Sequence, residues 1–189
     1  MNPAEIARIF EQTGALLTGH FLLTSGLHSE KYLQCAKVLQ WPRYAESLAR
    51  ELVVRLDWDK PDLVISPALG GIVIGQEVGR DLGCRAIFAE REGGELSLRR
   101  GFAVEPGEKA LVVEDVITTG GSTLETIQVV RSYGGHVIGA VSIIDRSGGH
   151  PVLDVPYRSL WTLAVPAYRA DQCPMCRAGS TPMKPGSRR

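Results

Sequence analysis

Two stretches near the start of the chain carry apolar residues at helical spacing. Ile6, Ile9 and Phe10 follow Asn2-Pro3 and predict a helix running to about Gln12. Ala45, Leu48, Ala49, Leu52 and Leu56 follow Pro42 and predict a second helix. Residues three and four apart share one face of a helix, and proline's fixed φ suits the first turn. Between them, HFLLTSGLHSEKYLQC (20–35) alternates and is broken by Ser25-Gly26, which predicts two short strands around a turn.

From residue 62 the pattern changes. DLVIS, RAIFAE, KALVVED and HVIGAVSIID are short Val/Ile/Leu/Ala-rich runs, interleaved with the helical stretches IVIGQEVGRDLG and STLETIQVVRSYGG. A strand covered on both faces reads as a continuous apolar run, and its alternation with helices implies an α/β fold with a mostly parallel central sheet flanked by helices. Residues 91–101 are polar, contain Gly93-Gly94 and lack apolar periodicity, so a mobile lid is expected there. The tail from Pro174, rich in Pro, Gly, Ser and Arg, reads as irregular. There are no internal repeats, and a single domain over residues 1–189 is expected.

Composition narrows the function classes. Lys+Arg and Asp+Glu are both 21, a formal net charge of zero, so the basic excess of a nucleic-acid binder is missing. No stretch reads as a signal peptide or a membrane span, which makes a soluble, cytoplasmic protein the expectation. Four cysteines in 189 residues are too sparse for a disulfide framework. Cys173-Pro-Met-Cys176 has the spacing of half a zinc site, but with no second pair or suitably spaced histidine nearby the expectation is a structural turn.

The chemistry concentrates in LVVEDVITTGGST, residues 111–123. An apolar strand ends on Glu114-Asp115, and Ser122-x-x-Glu125 fits a capping box that would start a helix near Ser122. The residues before that helix would offer free backbone N–H groups at its positive end, an anion site for which phosphate is the usual occupant. Gly120 and Gly121 allow close approach, and Thr118, Thr119, Ser122 and Thr123 supply hydroxyls. Ser122 stands where a Walker lysine would be, and the glycines are adjacent, so neither the Walker loop nor the dinucleotide fingerprint is present. Carboxylates would repel a phosphate. They suit vicinal ribose hydroxyls, so a ribose 5-phosphate satisfies both halves of the motif.

VVEDVITTGGST resembles the phosphoribosyl-diphosphate (PRPP) motif of the type I phosphoribosyltransferases, and TSGLHSEKY, SPALGGI and IIDR lie in the order expected of the orotate-specific members. The resemblance covers about Gly19 to Gly149, and the CPMCRAG tail is similar to one found in some bacterial members. It implies a PRPP-binding core over residues 62–150, with residues 1–40 and the tail forming a small hood. By the same resemblance, Glu114 and Asp115 hold the ribose hydroxyls, Val116 and Ile117 lead into the loop, and Thr118, Thr119, Gly120, Gly121 and Ser122 wrap the 5-phosphate. Ala68, Leu69, Gly70 and Gly71 match the loop that meets the diphosphate. Thr118 and Arg146 match orotate contacts, and Arg91 opens the segment similar to the mobile loop that closes over a site, that of the neighbouring subunit in a homodimer.

Two departures stand out. Many bacterial members carry a lysine in place of Gly70, and extra Lys and His residues in the loop where this chain reads EGGELSLRR, ending in Arg99 and Arg100. Lys31, Tyr32 and His28 fall in the hood-like segment, where a surface or packing role is equally open. The implied reaction joins orotate N1 to ribose C1 of PRPP, with Mg²⁺ as cofactor and no covalent nucleophile. A purine or other base transferase, and a PRPP-sensing regulator that binds RNA or DNA, remain the alternatives. Neither nucleic acid nor membrane is expected as a partner.

Overall fold

The computed structural model describes residues 1–23, 25–149 and 151–185. Thr24 of the hood-like segment, His150 and the last four residues of the tail lie outside them. The elements run α1 (Pro3–Gln12), β1 (Leu16–Leu22), β2 (His28–Leu33), α2 (Ala36–Leu39), α3 (Pro42–Val54), β3 (Leu63–Pro67) and α4 (Gly71–Leu82). Next come β4 (Arg85–Glu92), β5 (Glu95–Leu98), β6 (Lys109–Ile117), α5 (Gly121–Ser132) and β7 (His136–Asp145). β8 (Tyr157–Thr162), β9 (Ala167–Tyr168), a 3₁₀ turn (Ala170–Gln172) and α6 (Pro174–Arg177) complete the described chain.

Six strands form the central sheet in the order β5-β4-β3-β6-β7-β8. β5 is antiparallel to β4, and every other pairing is parallel. Successive residues of a strand point to opposite faces, and the two hydrophobic clusters follow that alternation. Val64, Leu111, Val113, Val141 and Ile143 pack on one face with Ile6 and Phe10 of α1, Leu48 and Leu52 of α3, and Ile74 and Val78 of α4. Leu63, Ile65, Val112 and Ala140 pack on the other face with Ile127 and Val130 of α5. Each Val, Leu, Ile or Phe side chain among them, fully buried, stabilises the fold by roughly 1.5–3 kcal/mol before entropy is counted.

α1 begins as its sequence suggests. The Asn2 side chain accepts from Glu5 N at 3.0 Å, and the Glu5 carboxylate accepts from Asn2 N at 2.7 Å. α4 lies close on the sheet through Gly71, Gly75 and Gly79. A Cβ at Gly75 would stand 2.1 Å from Ser66 Oγ, and one at Gly79 would stand 2.9 Å from Ala86 Cβ. Three glycines at a spacing of four let the helix backbone descend onto β3 and β4, which brings its N-terminus down to the strand ends.

The hood is a separate antiparallel sheet, β1-β2-β9, built from both ends of the described chain. The tail returns to it: Met183 N donates to His20 O and Leu22 N donates to Met183 O, both at 2.8 Å. Residues 174–177 are helical, so the tail is less irregular than expected.

The segment expected as a lid has regular structure. Residues 91–98 belong to a two-stranded hairpin, Arg91 pairing with Leu96 and Glu92 with Glu95. Gly93 and Gly94 form its two-residue turn with φ of 60° and 99°, the left-handed backbone such a turn demands and glycine supplies. Leu96 is buried and anchors the hairpin.

Candidate active site

β3 and β6 are neighbours, and each runs out of the sheet into the N-terminus of a helix, α4 after β3 and α5 after β6. Glu114 and Asp115 lie near the end of β6. Being consecutive in a strand, they face opposite sides. Glu114 continues the row of Val112 and faces α5, where Thr123 Oγ1 donates to Glu114 Oε2. Asp115 continues the row of Leu111 and Val113 and faces α4. There its carboxylate covers Gly70, whose missing Cβ would stand 2.6 Å from Asp115 Oδ1. The acid pair therefore serves two helix N-termini, one carboxylate each.

Neither carboxylate has a cationic partner among the described residues. Burial disfavours their charged forms. It pushes the Glu114 carboxyl up to about 7, with the neighbouring Asp115 charge adding to the rise. Burial also raises Asp115, although its Oδ1 accepts from Val116 N at 2.9 Å. Two desolvated carboxyl groups without a cation are costly to a structure and suit a ligand that brings hydroxyl donors or a metal ion.

The segment Val116–Ser122, with Glu114 and Glu125, encloses a cavity of about 220 Å³. Gly120 caps α5 in the left-handed conformation with φ of 88°, and no side chain bonds to that cap. The amides at this helix start thus remain free for an anion. The expected capping box does not form: the helix begins at Gly121, and Glu125 pairs with Arg91 Nη1 at 2.9 Å instead. A glycine that can adopt positive φ offers a helix start needing no Ser–Glu reciprocity.

Ala68, Leu69, Gly70 and Gly71 form the turn from β3 into α4, with the Ala68–Leu69 peptide cis and Ala68 N donating to Ala89 O at 2.8 Å. Arg146 follows β7, and its backbone N donates to Ile117 O at 2.7 Å, so it adjoins the start of the phosphate-type loop. Its Nε is buried without a hydrogen-bond partner among the described residues, and burial lowers the guanidinium pKa. Among the described residues no bridge to the adjacent Asp145 forms; Asp145 Oδ1 accepts from both N and Oγ of Ser147 at 2.6 Å. Arg146 is a half-buried cation without an anion among the described residues.

Arg91 donates to Gly94 O across the hairpin turn and pairs with Glu125, which holds it at the rim of its own chain's loop cavity. Arg99 pairs with Glu92 at 3.4 Å and Arg100 with Glu90 at 2.7 Å, so both brace the hairpin. In the hood, Tyr32 packs near Phe21 with ring centroids 5.9 Å apart. Lys31 pairs with Thr18 in register, and His28 is buried beside His20. Thr123 as the partner of Glu114 and the glycine stripe of α4 are features beyond those expected from the motifs. The four-residue spacing of Gly71, Gly75 and Gly79 is the signal that could have revealed the stripe.

The chain is similar to known proteins over its full length. The phosphoribosyl transferase domain model matches residues 36–163. An orotate phosphoribosyltransferase of Pelotomaculum thermopropionicum is 53% identical over 189 residues, covering 100% of both chains. One from Desulforamulus reducens is 53% identical over 188 residues, covering 100% of this chain and 98% of the other. The crystal structure of orotate phosphoribosyltransferase from Aeropyrum pernix superposes with a TM-score of 0.68 at 28% identity, covering 84% of this chain and 93% of that one. The matched domain model and these full-length relatives show that the chain belongs to the phosphoribosyltransferase family.

Proposed function

We propose that the chain transfers the ribose 5-phosphate group of PRPP to N1 of orotate, giving orotidine 5-monophosphate and diphosphate, a step of cytoplasmic de novo pyrimidine synthesis. The observation that carries this reading is the pair Glu114 and Asp115, desolvated, without a cation and divided between two glycine-bearing helix starts. Glu114 and Asp115 accept the two ribose hydroxyls. The free amides and hydroxyls of Thr118–Ser122 hold the 5-phosphate at the positive end of α5. The turn Ala68–Gly71 meets the diphosphate at the start of α4.

The donor set also fits magnesium, a hard ion that takes oxygen ligands and keeps several waters. When bound with PRPP, it disperses the negative charge that develops on the leaving diphosphate. Glu114 and Asp115 would hold it through the ribose oxygens they share. The residues contribute positioning and electrostatics, with no covalent nucleophile required. Arg146, beside Ile117 and without an anion among the described residues, grips the orotate carboxylate with its planar donor set. A purine lacks that carboxylate, so Arg146 favours orotate over the other bases. In a homodimer, Arg91, once released from Glu125, reaches the diphosphate of the neighbouring site. The test is diphosphate release from PRPP and Mg²⁺ with orotate, adenine, hypoxanthine or uracil. Release with orotate alone is expected, and release only with a purine would overturn the reading.

A further inference from the structure

The hood contains a cluster that the transferase reaction does not use. His20 of β1, His28 of β2, and Cys173 and Cys176 around α6 each present one ligand atom, and all four atoms lie within 4.8 Å of one another. Three of the residues are buried and Cys176 is partly so. His20 Nε2 lies 2.9 Å from His28 Nδ1, 3.5 Å from Cys173 Sγ and 3.8 Å from Cys176 Sγ. Cys176 Sγ lies 3.2 Å from His28 Nδ1. Both cysteines are free thiols. Tail and hood histidines are 153 and 148 positions apart for the Cys173–His20 and Cys176–His28 pairs, so chain proximity does not account for the convergence.

Hydrogen bonding does not account for it either. Three polar atoms crowd His20 Nε2, which can donate at most one proton. Zinc sits about 2.3 Å from sulfur and 2.0–2.1 Å from nitrogen, so a tetrahedral site has S···N edges of about 3.5 Å and N···N edges of about 3.4 Å. The observed 3.5, 3.8 and 3.2 Å bracket the first value, and 2.9 Å needs only a small opening of the two imidazoles. We infer that His20, His28, Cys173 and Cys176 form a closed, structural zinc site that fastens the C-terminal segment to the N-terminal hood. Two thiolates and two imidazoles select zinc over harder cations, and four protein ligands leave no open position for catalysis. Binding converts both thiols to thiolates and releases their protons.

The placement explains what the site does for the fold. β9 contributes only two residues to the hood sheet, Ala167 and Tyr168, paired with Ser29 and His28. The return of the tail at Met183 is a single bridge to Phe21. Such short pairings hold poorly by themselves. A metal joining β1, β2 and α6 at one point locks all three, and its binding energy becomes folding energy of the hood.

The test uses the full chain expressed with zinc and dialysed exhaustively. Elemental analysis should find about one zinc per chain, and Cys176→Ser and Cys173→Ser should each reduce it to near zero. Cobalt exchanged into the wild type should give the intense visible bands of a tetrahedral ion with thiolate-to-cobalt charge transfer. Removing the metal with a strong chelator should open the tail, seen as faster proteolysis between residues 163 and 185. A wild-type chain that binds no zinc or cobalt, keeps its protease resistance in chelator and forms a Cys173–Cys176 disulfide on mild oxidation would overturn the assignment. The wild-type measurements stand even if a variant fails to fold.

Discussion

The two helix starts at the centre of the site share a topology and differ in how they achieve their shape. At α5 the chain needs conformational freedom: Gly120 has φ of 88°, which L side chains rarely adopt. At α4 the chain needs space: Gly70 has ordinary helical φ and ψ of −56° and −42°, but Asp115 occupies the volume of its Cβ. One glycine permits a backbone and the other permits a neighbour. The same letter in the sequence thus reports two different physical demands, and only one of them is local.

The sharpest break of this comparison is at the α4 side. Asp115→Asn should reduce turnover by about 10²- to 10³-fold, the range for losing one preorganised electrostatic contact. Its melting temperature should not fall, because a desolvated charge is removed. Steady-state kinetics beside a thermal melt decide it, and near-native turnover would return Asp115 to a packing role.

Arg146→Ala acts on neither helix start. Orotate binding should weaken by about 2–5 kcal/mol, the range for truncating one member of a buried charge pair. Calorimetric titration of PRPP should change little, and an equal loss for both ligands would remove Arg146 from the base site.

Paired glycine substitutions separate freedom from space. Gly120→Ala should cost about 1–2 kcal/mol of folding stability, the penalty of a left-handed L residue. Gly70→Ala leaves the backbone unstrained but must push the Asp115 carboxylate aside, an overpacking cost of about 1–3 kcal/mol that should surface as weaker PRPP binding. Equal effects of both on unfolding, with no loss of PRPP affinity for Gly70→Ala, would erase the distinction.

The smallest effect is in pH dependence at the α5 side. Glu114 is raised from an ordinary 4.5 to about 7. Between those values the folded chain keeps a proton that the unfolded chain has lost, so its contribution to stability is full below about 4.5 and is lost as pH rises through about 7. Urea midpoints of the ligand-free protein at pH 5 and pH 8 should show wild type losing stability relative to Glu114→Gln, by at most about 1.4 kcal/mol per pH unit. A pH-independent difference would mean that Glu114 titrates normally.

Much of the central sheet was legible because its strands are continuous apolar runs and its helices keep their apolar spacing. The acid pair and the Thr/Gly run were legible because both lie within thirteen consecutive residues, 111–123. The hairpin is hard to read although Gly93-Gly94 is a two-residue turn signal, since the Glu95–Leu98 strand is only four residues long. The capping box misled because Gly120 supplies the helix start by backbone conformation and Glu125 finds a better partner in Arg91.

By itself the sequence determined the alternation of strands and helices, the position of the acid pair at a strand end and the anion-binding character of the loop after it, all properties of neighbouring residues. Only the tertiary structure decided that Glu114 and Asp115 serve different helices, that Gly70 yields its Cβ volume to Asp115, that Arg146 is left without an anion among the described residues, and that His20 and His28 meet Cys173 and Cys176. Apart from the Glu114–Thr123 bond, the contacts among these join segments far apart in the chain. They follow from which strands pair and how closely helices descend on the sheet, and no local spacing in the sequence records that.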